Sequence, residues 1–199
     1  MSVVGLTGSP GAGKTTIANI FKELGAEIVS ADEIGREVVE SNSEVLEALI
    51  KAFGKDILDE RGNLNRRQLS GIVFSSDDAL KKLNRIVHPS LLMELKRIID
   101  EHRFAKGEKL MIVDAALIYE WGIADWFDAV IVVYADLWLR IKRLKSLGLT
   151  ESEVMGRTDS QLPQEEKIRR SDYTIENNGL LKDIRPEVEK LYRILMRPK

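Results

Sequence analysis

The fold class that the sequence predicts is α/β: a parallel sheet of about five strands with helices on both faces. Three observations predict it. Apolar runs recur near 3–6, 26–29, 110–113, 129–134 and 172–176, each the length of a short strand. The runs Lys109-Leu110-Met111-Ile112-Val113-Asp114 and Ala129-Val130-Ile131-Val132-Val133-Tyr134 are almost wholly apolar, as strands buried on both faces are. The first run is followed by Gly8-Ser9-Pro10-Gly11-Ala12-Gly13-Lys14-Thr15, which fits G-x-x-x-x-G-K-[ST] at every fixed position.

That motif lies between Val3-Val4-Gly5-Leu6 and the helix-patterned Thr16-Ile17-Ala18-Asn19-Ile20-Phe21. Strand, loop and helix in this order make the context of a P-loop, and hence a P-loop NTPase fold. Gly8, Gly11 and Gly13 free the backbone, so several N–H groups, with those of Ala12 and Thr16, can turn toward one phosphate. The helix adds its uncompensated amides and positive end. Lys14 can reach the β- and γ-phosphates, and the Thr15 hydroxyl can hold Mg²⁺. The chain is therefore expected to bind a nucleoside triphosphate.

Composition narrows the class. A chain of 199 residues suits one domain carrying an insertion. Hydrophobic residues make up 44% and charged residues 31%, an ordinary soluble globular balance. A net charge of −2 gives no global reason to bind nucleic acid or an anionic membrane. With no cysteine, disulfides and thiolate metal sites are excluded. No stretch approaches the ~18 uninterrupted apolar residues of a membrane span. The first strand starts at residue 2, so no cleavable leader is expected and a cytoplasmic location is the simplest reading.

Along the chain, Ala26-Glu27-Ile28-Val29-Ser30 reads as a second strand that ends just before Asp32. Asp32 then sits at the carboxyl edge of a parallel sheet, where ligands of such sheets collect. Ser30 or Asp32 equally suits capping of the helix that begins at Ile34, and both readings stand. Residues 43–104 show no strand-like alternation and read as short helices at 43–52, 66–74, 76–86 and 90–104. Such a block is too long for one crossover, so it forms an insertion within a core of residues 1–42 and 105–199. By analogy with small P-loop kinases, the insertion is expected to take the phosphate acceptor. Its Arg66, Arg67, Lys81, Lys82 and Arg85 are candidate anion contacts, although a solvated face accounts for the last three. His88-Pro89 suits a helix start, with Pro at the first helical position. His102, in a charged run, is expected at the surface.

Asp114 closes the third run, where a P-loop enzyme places an acid directed at Mg²⁺; a turn cap is the other reading. Residues 136–146 set Trp138, Leu139, Ile141 and Leu144 against Arg140, Lys142, Arg143 and Lys145, an amphipathic helix with a basic face. Cations near a helix C-terminus are favourable in themselves; alternatively the helix belongs to a lid, about 140–163, that brings arginine to the phosphate. Gly148, Gly156 and Pro163 suggest a mobile connector at 148–163. A last strand at 172–176, the turn Asn177-Asn178-Gly179 and a terminal helix at 180–196 complete the chain.

Taken together these pieces resemble the dephospho-CoA kinase family over nearly the whole length. The resemblance is carried by Ser30-Ala31-Asp32, by Gly62-Asn63-Leu64-Asn65-Arg66-Arg67-Gln68-Leu69 with Val73-Phe74, and by Leu83-Asn84-Arg85-Ile86-Val87-His88-Pro89. It continues in Asp114-Ala115-Ala116-Leu117-Ile118-Tyr119-Glu120, and in Gln161, Lys167, Ser171-Asp172 and Asn177-Asn178-Gly179. It implies transfer of phosphate from ATP to the ribose 3′-hydroxyl of dephospho-CoA. Asp32 would orient and deprotonate that hydroxyl, residues 11–16 would cradle the ATP phosphates, Arg66 and His88 would line the acceptor side, and Asn177 or its neighbour would lie by the adenine.

Two departures stand out. Ala116 occupies a position where the family usually has proline. The lid pattern Q-x-x-R-L-x-x-R runs here from Arg140 to Leu147, with arginine for glutamine and without the second arginine. Arg143 is the first choice for the phosphate-directed arginine, ahead of Arg140 and Arg157. The nearest rival reading is a kinase of another nucleotide or small metabolite, which would share Lys14, Thr15 and an acid like Asp32. A GTPase switch lacks its N-K-x-D tetrapeptide here, and a nucleic-acid ATPase lacks a long basic tract.

Overall fold

The computed structural model describes residues 2–73, 76–105 and 109–197. Phe74, part of the insertion signature, lies outside the described residues. The chain divides into two compact units, Met1–Ser30 with Glu101–Lys199, and Ala31–Asp100.

The first unit is built on five parallel strands, β1 (Val3–Thr7), β2 (Glu27–Ser30), β3 (Met111–Asp114), β4 (Ala129–Tyr134) and β5 (Tyr173–Glu176), in the order β2-β3-β1-β4-β5. The central strands β1, β3 and β4 are buried along nearly their whole length, which is why they read as continuous apolar runs. Alternate residues face opposite ways. On one face Val4, Leu6, Ile112, Ile131 and Val133 join the buried stripes of two helices. Ile17, Ile20 and Phe21 come from α1 (Lys14–Glu23), and Ile184, Val188 and Leu191 from the terminal helix Leu181–Leu195. On the other face a Cβ on Gly5 would stand 2.7 Å from Ile118 and 3.0 Å from Phe127, so the small residue admits the β3–β4 connection.

Register matters most for the site. Asp114 of β3 pairs with Leu6 of β1 on one side and Ser30 of β2 on the other. β2 is therefore one strand removed from the P-loop strand, and β3 with Asp114 is its direct neighbour.

The second unit is helical, with α2 (Ala31–Ser41), α3 (Ser43–Phe53), α4 (Arg66–Val73) and most of α5 (Asp77–Phe104). Among its described residues the only strand-like pairing is the single bridge Leu58–Leu64. Asn42 caps α3 by accepting from the N–H groups of Glu44 and Val45, at 3.0 and 3.2 Å. Asp59 Oδ1 closes the expected turn by accepting from Arg61 and Asn63 at 2.9 and 2.8 Å. Lys82 is exposed, and its ammonium caps the end of α3 at the Ala52 carbonyl, 2.7 Å away.

Three expectations are corrected. The two helices anticipated at 76–86 and 90–104 are one, because α5 runs through Pro89 from Asp77 to Phe104. Proline removes one hydrogen bond, but the flanking turns hold Val87, Leu91, Leu95 and Ile99 buried along one stripe. His102 is not a surface residue: its side chain is 8% exposed, with Nδ1 3.2 Å from Glu27 and Nε2 3.1 Å from the Lys109 carbonyl. The connector at 148–163 contains a helix, here α7 (Glu151–Asp159), opened by a capping box between Thr150 and Glu153.

Candidate functional site

The site grows from the end of β1. At Gly8 a side chain has no room, since a Cβ would lie 2.2 Å from the Val133 carbonyl oxygen of β4. At Gly13 φ is 94°, and a Cβ would lie 2.1 Å from Asn177 Nδ2. Between them Ala12 is fully buried, and its N–H donates to the Ser9 carbonyl at 3.0 Å. Gly13 is the N-cap of α1 and offers no side-chain acceptor, and no acid stands in the first turn. The first amides of α1 and the helix dipole are thus left to an anion from outside. Lys14 is partly buried, while Thr15 and Thr16 open to solvent.

Lys14 Nζ lies 3.7 Å from Asp114 Oδ1. The parallel register of β1 and β3 brings these two together. Among the described residues no three His, Cys, Asp or Glu gather as a metal nest. One carboxylate and one hydroxyl from the chain nevertheless fit Mg²⁺, which keeps waters and takes phosphate oxygens for the rest of its shell.

The helix after β4, α6 (Leu137–Ser146), lies on the P-loop. Its faces differ from the expectation. Trp138 is 62% exposed, whereas Arg140 and Leu144 form the buried stripe at 6% and 7%. The cause is contact with the loop: a Cβ on Gly11 would meet the Arg140 carbonyl at 2.7 Å. Arg140 Nε is buried without a hydrogen-bond partner among the described residues, and burial lowers the pKa of its guanidinium. Arg143 is tied in instead. It donates to the Asn177 carbonyl at 2.8 Å and to the Gly11 and Ala12 carbonyls at 3.3 and 3.4 Å.

Asn177, expected near the base, is buried and spends its side-chain N–H on the Ala12 carbonyl at 2.7 Å. It buttresses the P-loop and also lines a cavity of about 210 Å³ with Gly13, Thr16, Arg143, Gly179 and Leu181.

The remaining candidates lie in the helical unit. Asp32 is in the first turn of α2, whose helix starts at Ala31, so it is an early helical residue two positions past β2 rather than a cap before Ile34. Arg66, at the start of α4, is exposed and paired with Glu40. His88 lies within α5, half-buried, and burial lowers its pKa.

A cluster without an assigned role surrounds Lys167, the one buried residue of α8 (Gln164–Arg170). Its side chain is 0% exposed and its ammonium meets Ala116 O at 2.8 Å, Gln161 Oε1 at 3.0 Å and Glu120 Oε1 at 3.0 Å. Burial lowers its pKa against the raising effect of Glu120. Asp172 holds the start of β5 to β4, with Oδ2 accepting from Val130 N at 2.8 Å.

Comparison with known proteins agrees with this geometry. A family model described as Dephospho-CoA kinase matches residues 2–183. The chain is 37% identical over 197 residues to a dephospho-CoA kinase of Aquifex aeolicus, covering 99% of both chains. It is 40% identical over 196 residues to that of Syntrophotalea carbinolica, covering 96% of this chain and 90% of the relative. Among solved structures, a dephospho-CoA kinase from Campylobacter jejuni superposes with a TM-score of 0.66 at 29% identity, covering 98% of this chain and 97% of that one. A shikimate kinase from Acinetobacter baumannii, at 18% identity and a TM-score of 0.54, shares the fold over 98% of this chain and 93% of its own. Motif, strand order and full-length likeness converge: the chain belongs to the dephospho-CoA kinase family.

Proposed function

We propose that the chain transfers the γ-phosphoryl group of ATP to the ribose 3′-hydroxyl of dephospho-CoA, giving CoA and ADP. The observation that carries this reading is the junction of β1, α1 and β3. There an uncapped helix N-terminus, Lys14 and Asp114 meet at one sheet edge, in a chain similar to dephospho-CoA kinases end to end.

Phosphoryl transfer asks mainly for alignment and charge neutralisation, because its transition state is loose. Within the stretch from Gly11 to Thr16, the amides not already bonded inside the loop and the Lys14 ammonium hold the β- and γ-phosphates. Arg143 adds its charge from α6, beside the cavity that suits the base and ribose. Thr15 and Asp114 would hold Mg²⁺, which when bound neutralises phosphate charge. Asp32 receives the acceptor: it chiefly aims the ribose oxygen and takes its proton late, as the bond to phosphorus forms. Arg66 and His88, in the insertion at 43–104, are assigned to the acceptor, and the lid at about 140–163 to excluding water. A cytoplasmic site of action fits these soluble substrates. Among the described residues no helix is long and apolar enough to cross a membrane.

The test is ADP production with and without dephospho-CoA, with mass and phosphatase mapping of the product. Acceptor-dependent ADP and a 3′-phosphate are expected. ADP release indifferent to the acceptor would remove the reading.

A further inference from the structure

We infer that Lys167 is a positioning residue for the metal-directed carboxylate. Its buried ammonium clasps the turn after Asp114 to the segment through which the chain enters α8. This rests on the reading of Asp114 given above.

An ammonium has three N–H donors, and here three acceptors stand within 3.0 Å. No donor is left for a phosphate, so Lys167 holds other groups in place. What it holds is specific. The Ala116 carbonyl, two residues past Asp114, takes Lys167 at 2.8 Å and Thr7 Oγ1 of β1 at 2.9 Å. Ala115 is pinned in turn, its N–H donating to the Leu6 carbonyl at 3.0 Å. The turn that aims Asp114 is therefore fastened on both sides, by β1 and by α8. Proline would stiffen this turn covalently; with Ala116 in place, hydrogen bonds fix it.

The same ammonium reaches the other way. Gln161 Oε1 is one of its acceptors, and Glu120 Oε1 accepts both Lys167 and the Leu162 N–H, the latter at 2.8 Å. Residues 161 and 162 close the stretch that follows α7. One buried cation thus shares its bonds between the carboxylate turn and the exit of the proposed lid. Stability does not explain its presence. Exchange of a buried ion pair for apolar side chains of like volume is often neutral or stabilising. A short helix that buries an ammonium where leucine would serve is built for placement.

The experiment uses Lys167→Met and the charge-balanced double variant Lys167→Met/Glu120→Gln in the full chain. Affinity for ATP with and without Mg²⁺ is measured by calorimetry in the absence of acceptor. Amide hydrogen exchange is followed at 115–122 and 160–163, and turnover is titrated with Mg²⁺. Folded variants are expected to bind metal-free ATP within about twofold of the parent. Their Mg²⁺ half-saturation should rise about tenfold or more, the scale seen when partners of metal ligands are removed. Both amide segments should exchange faster together, and excess Mg²⁺ should restore part of the lost turnover with the dephospho-CoA KM unchanged. Parental Mg²⁺ coupling in the folded double variant would overturn the proposal. Failure of both variants to fold would overturn it too, making the cluster a folding element. The binding arm needs no acceptor, so a parent that ignores dephospho-CoA would sink the proposed reaction alone. Parental Mg²⁺ coupling in Asp114→Asn would sink the role of Asp114.

Discussion

Lys14 and Lys167 stand in the same unit and are built in opposite ways. Lys14 follows the P-loop, its side chain is 19% exposed, and it meets Asp114 at 3.7 Å, beyond hydrogen-bond length. Around it the first amides of α1 also lack a side-chain cap. Lys167 is fully enclosed and its three donors are used within 3.0 Å. The difference separates two uses of the same side chain. A group with donors to spare, at the mouth of a strand, is arranged for something that arrives. A group whose donors are all spent is arranged for what is already there.

The strongest way to break this comparison is Lys14→Ala. The site is open, so the fold should persist while a transition-state charge is lost. Removal of such a contact costs ~3 kcal/mol or more, or about 10²–10³ in turnover. Turnover within tenfold of the parent, in a protein with unchanged melting temperature, would show that Lys14 is not the arriving phosphate's partner.

Asp32→Asn comes next, at about 10²-fold, the scale of general-base loss. Asparagine keeps the size and some hydrogen bonding but cannot take the proton. Calorimetry should show ATP bound nearly as in the parent, with single-turnover phosphorylation of the 3′-hydroxyl reduced. A collapse of ATP–Mg²⁺ affinity with near-parental transfer at saturating ATP would make Asp32 a metal ligand instead.

The open cluster was legible in the sequence and the closed one was not, for a physical reason. The P-loop is a contiguous stretch in which local backbone freedom, one cation and one hydroxyl carry the chemistry. β3 and β4 were equally plain, since strands buried on both faces must be apolar throughout. Lys167, by contrast, stands in Gln164-Glu165-Glu166-Lys167-Ile168-Arg169-Arg170, which reads as a solvated face. Its acceptors at 116, 120 and 161 become neighbours only through the fold. The resemblance matched Gln161 and Lys167 without a role for either. α6 misled for a related reason: Arg140 is buried because the helix lies on Gly11, which no periodicity reveals. A helix inside 148–163 did have a signal, Thr150-Glu151-Ser152-Glu153, a capping box beside glycines that suggested a connector. Pro89 was read as a helix start because proline favours that position, and tertiary burial along α5 overrode the preference.

Arg143 lies between the two extremes. It donates to three backbone carbonyls and still borders the cavity beside Gly13. Arg143→Ala should therefore both loosen the P-loop and weaken ATP. Loss of hydrogen bonds from a charged donor is worth ~1.5–3 kcal/mol, or about tenfold to a hundredfold in kcat/KM for ATP. Arg143→Lys should recover only part, since an ammonium cannot reproduce the planar fork. Parental kinetics in Arg143→Lys would assign Arg143 a purely electrostatic part.

The smallest effect belongs to Tyr119, and it tests whether donor saturation is the right criterion. Its hydroxyl is buried with no hydrogen-bond partner among the described residues, although it stands in the turn that Lys167 holds. Burial pushes its pKa up to about 12. An unspent donor here faces no ligand and secures no neighbour, so Tyr119→Phe removes a desolvated group and breaks nothing. Stability by urea titration at neutral pH should stay level or rise by up to ~1 kcal/mol, with Mg²⁺-dependent turnover unchanged. The alkaline limb gives the sign independently. The folded phenol keeps its proton up to about pH 12, while the unfolded one loses it near ~10, so the unfolded state binds fewer protons in that window. The parent's stability therefore carries a decline from about pH 10 to 12 that the phenylalanine variant lacks, and the variant should gain on the parent as pH climbs. A loss of more than ~1 kcal/mol at pH 7, or parallel curves between pH 10 and 12, would mean that the hydroxyl has a partner and belongs with Lys167.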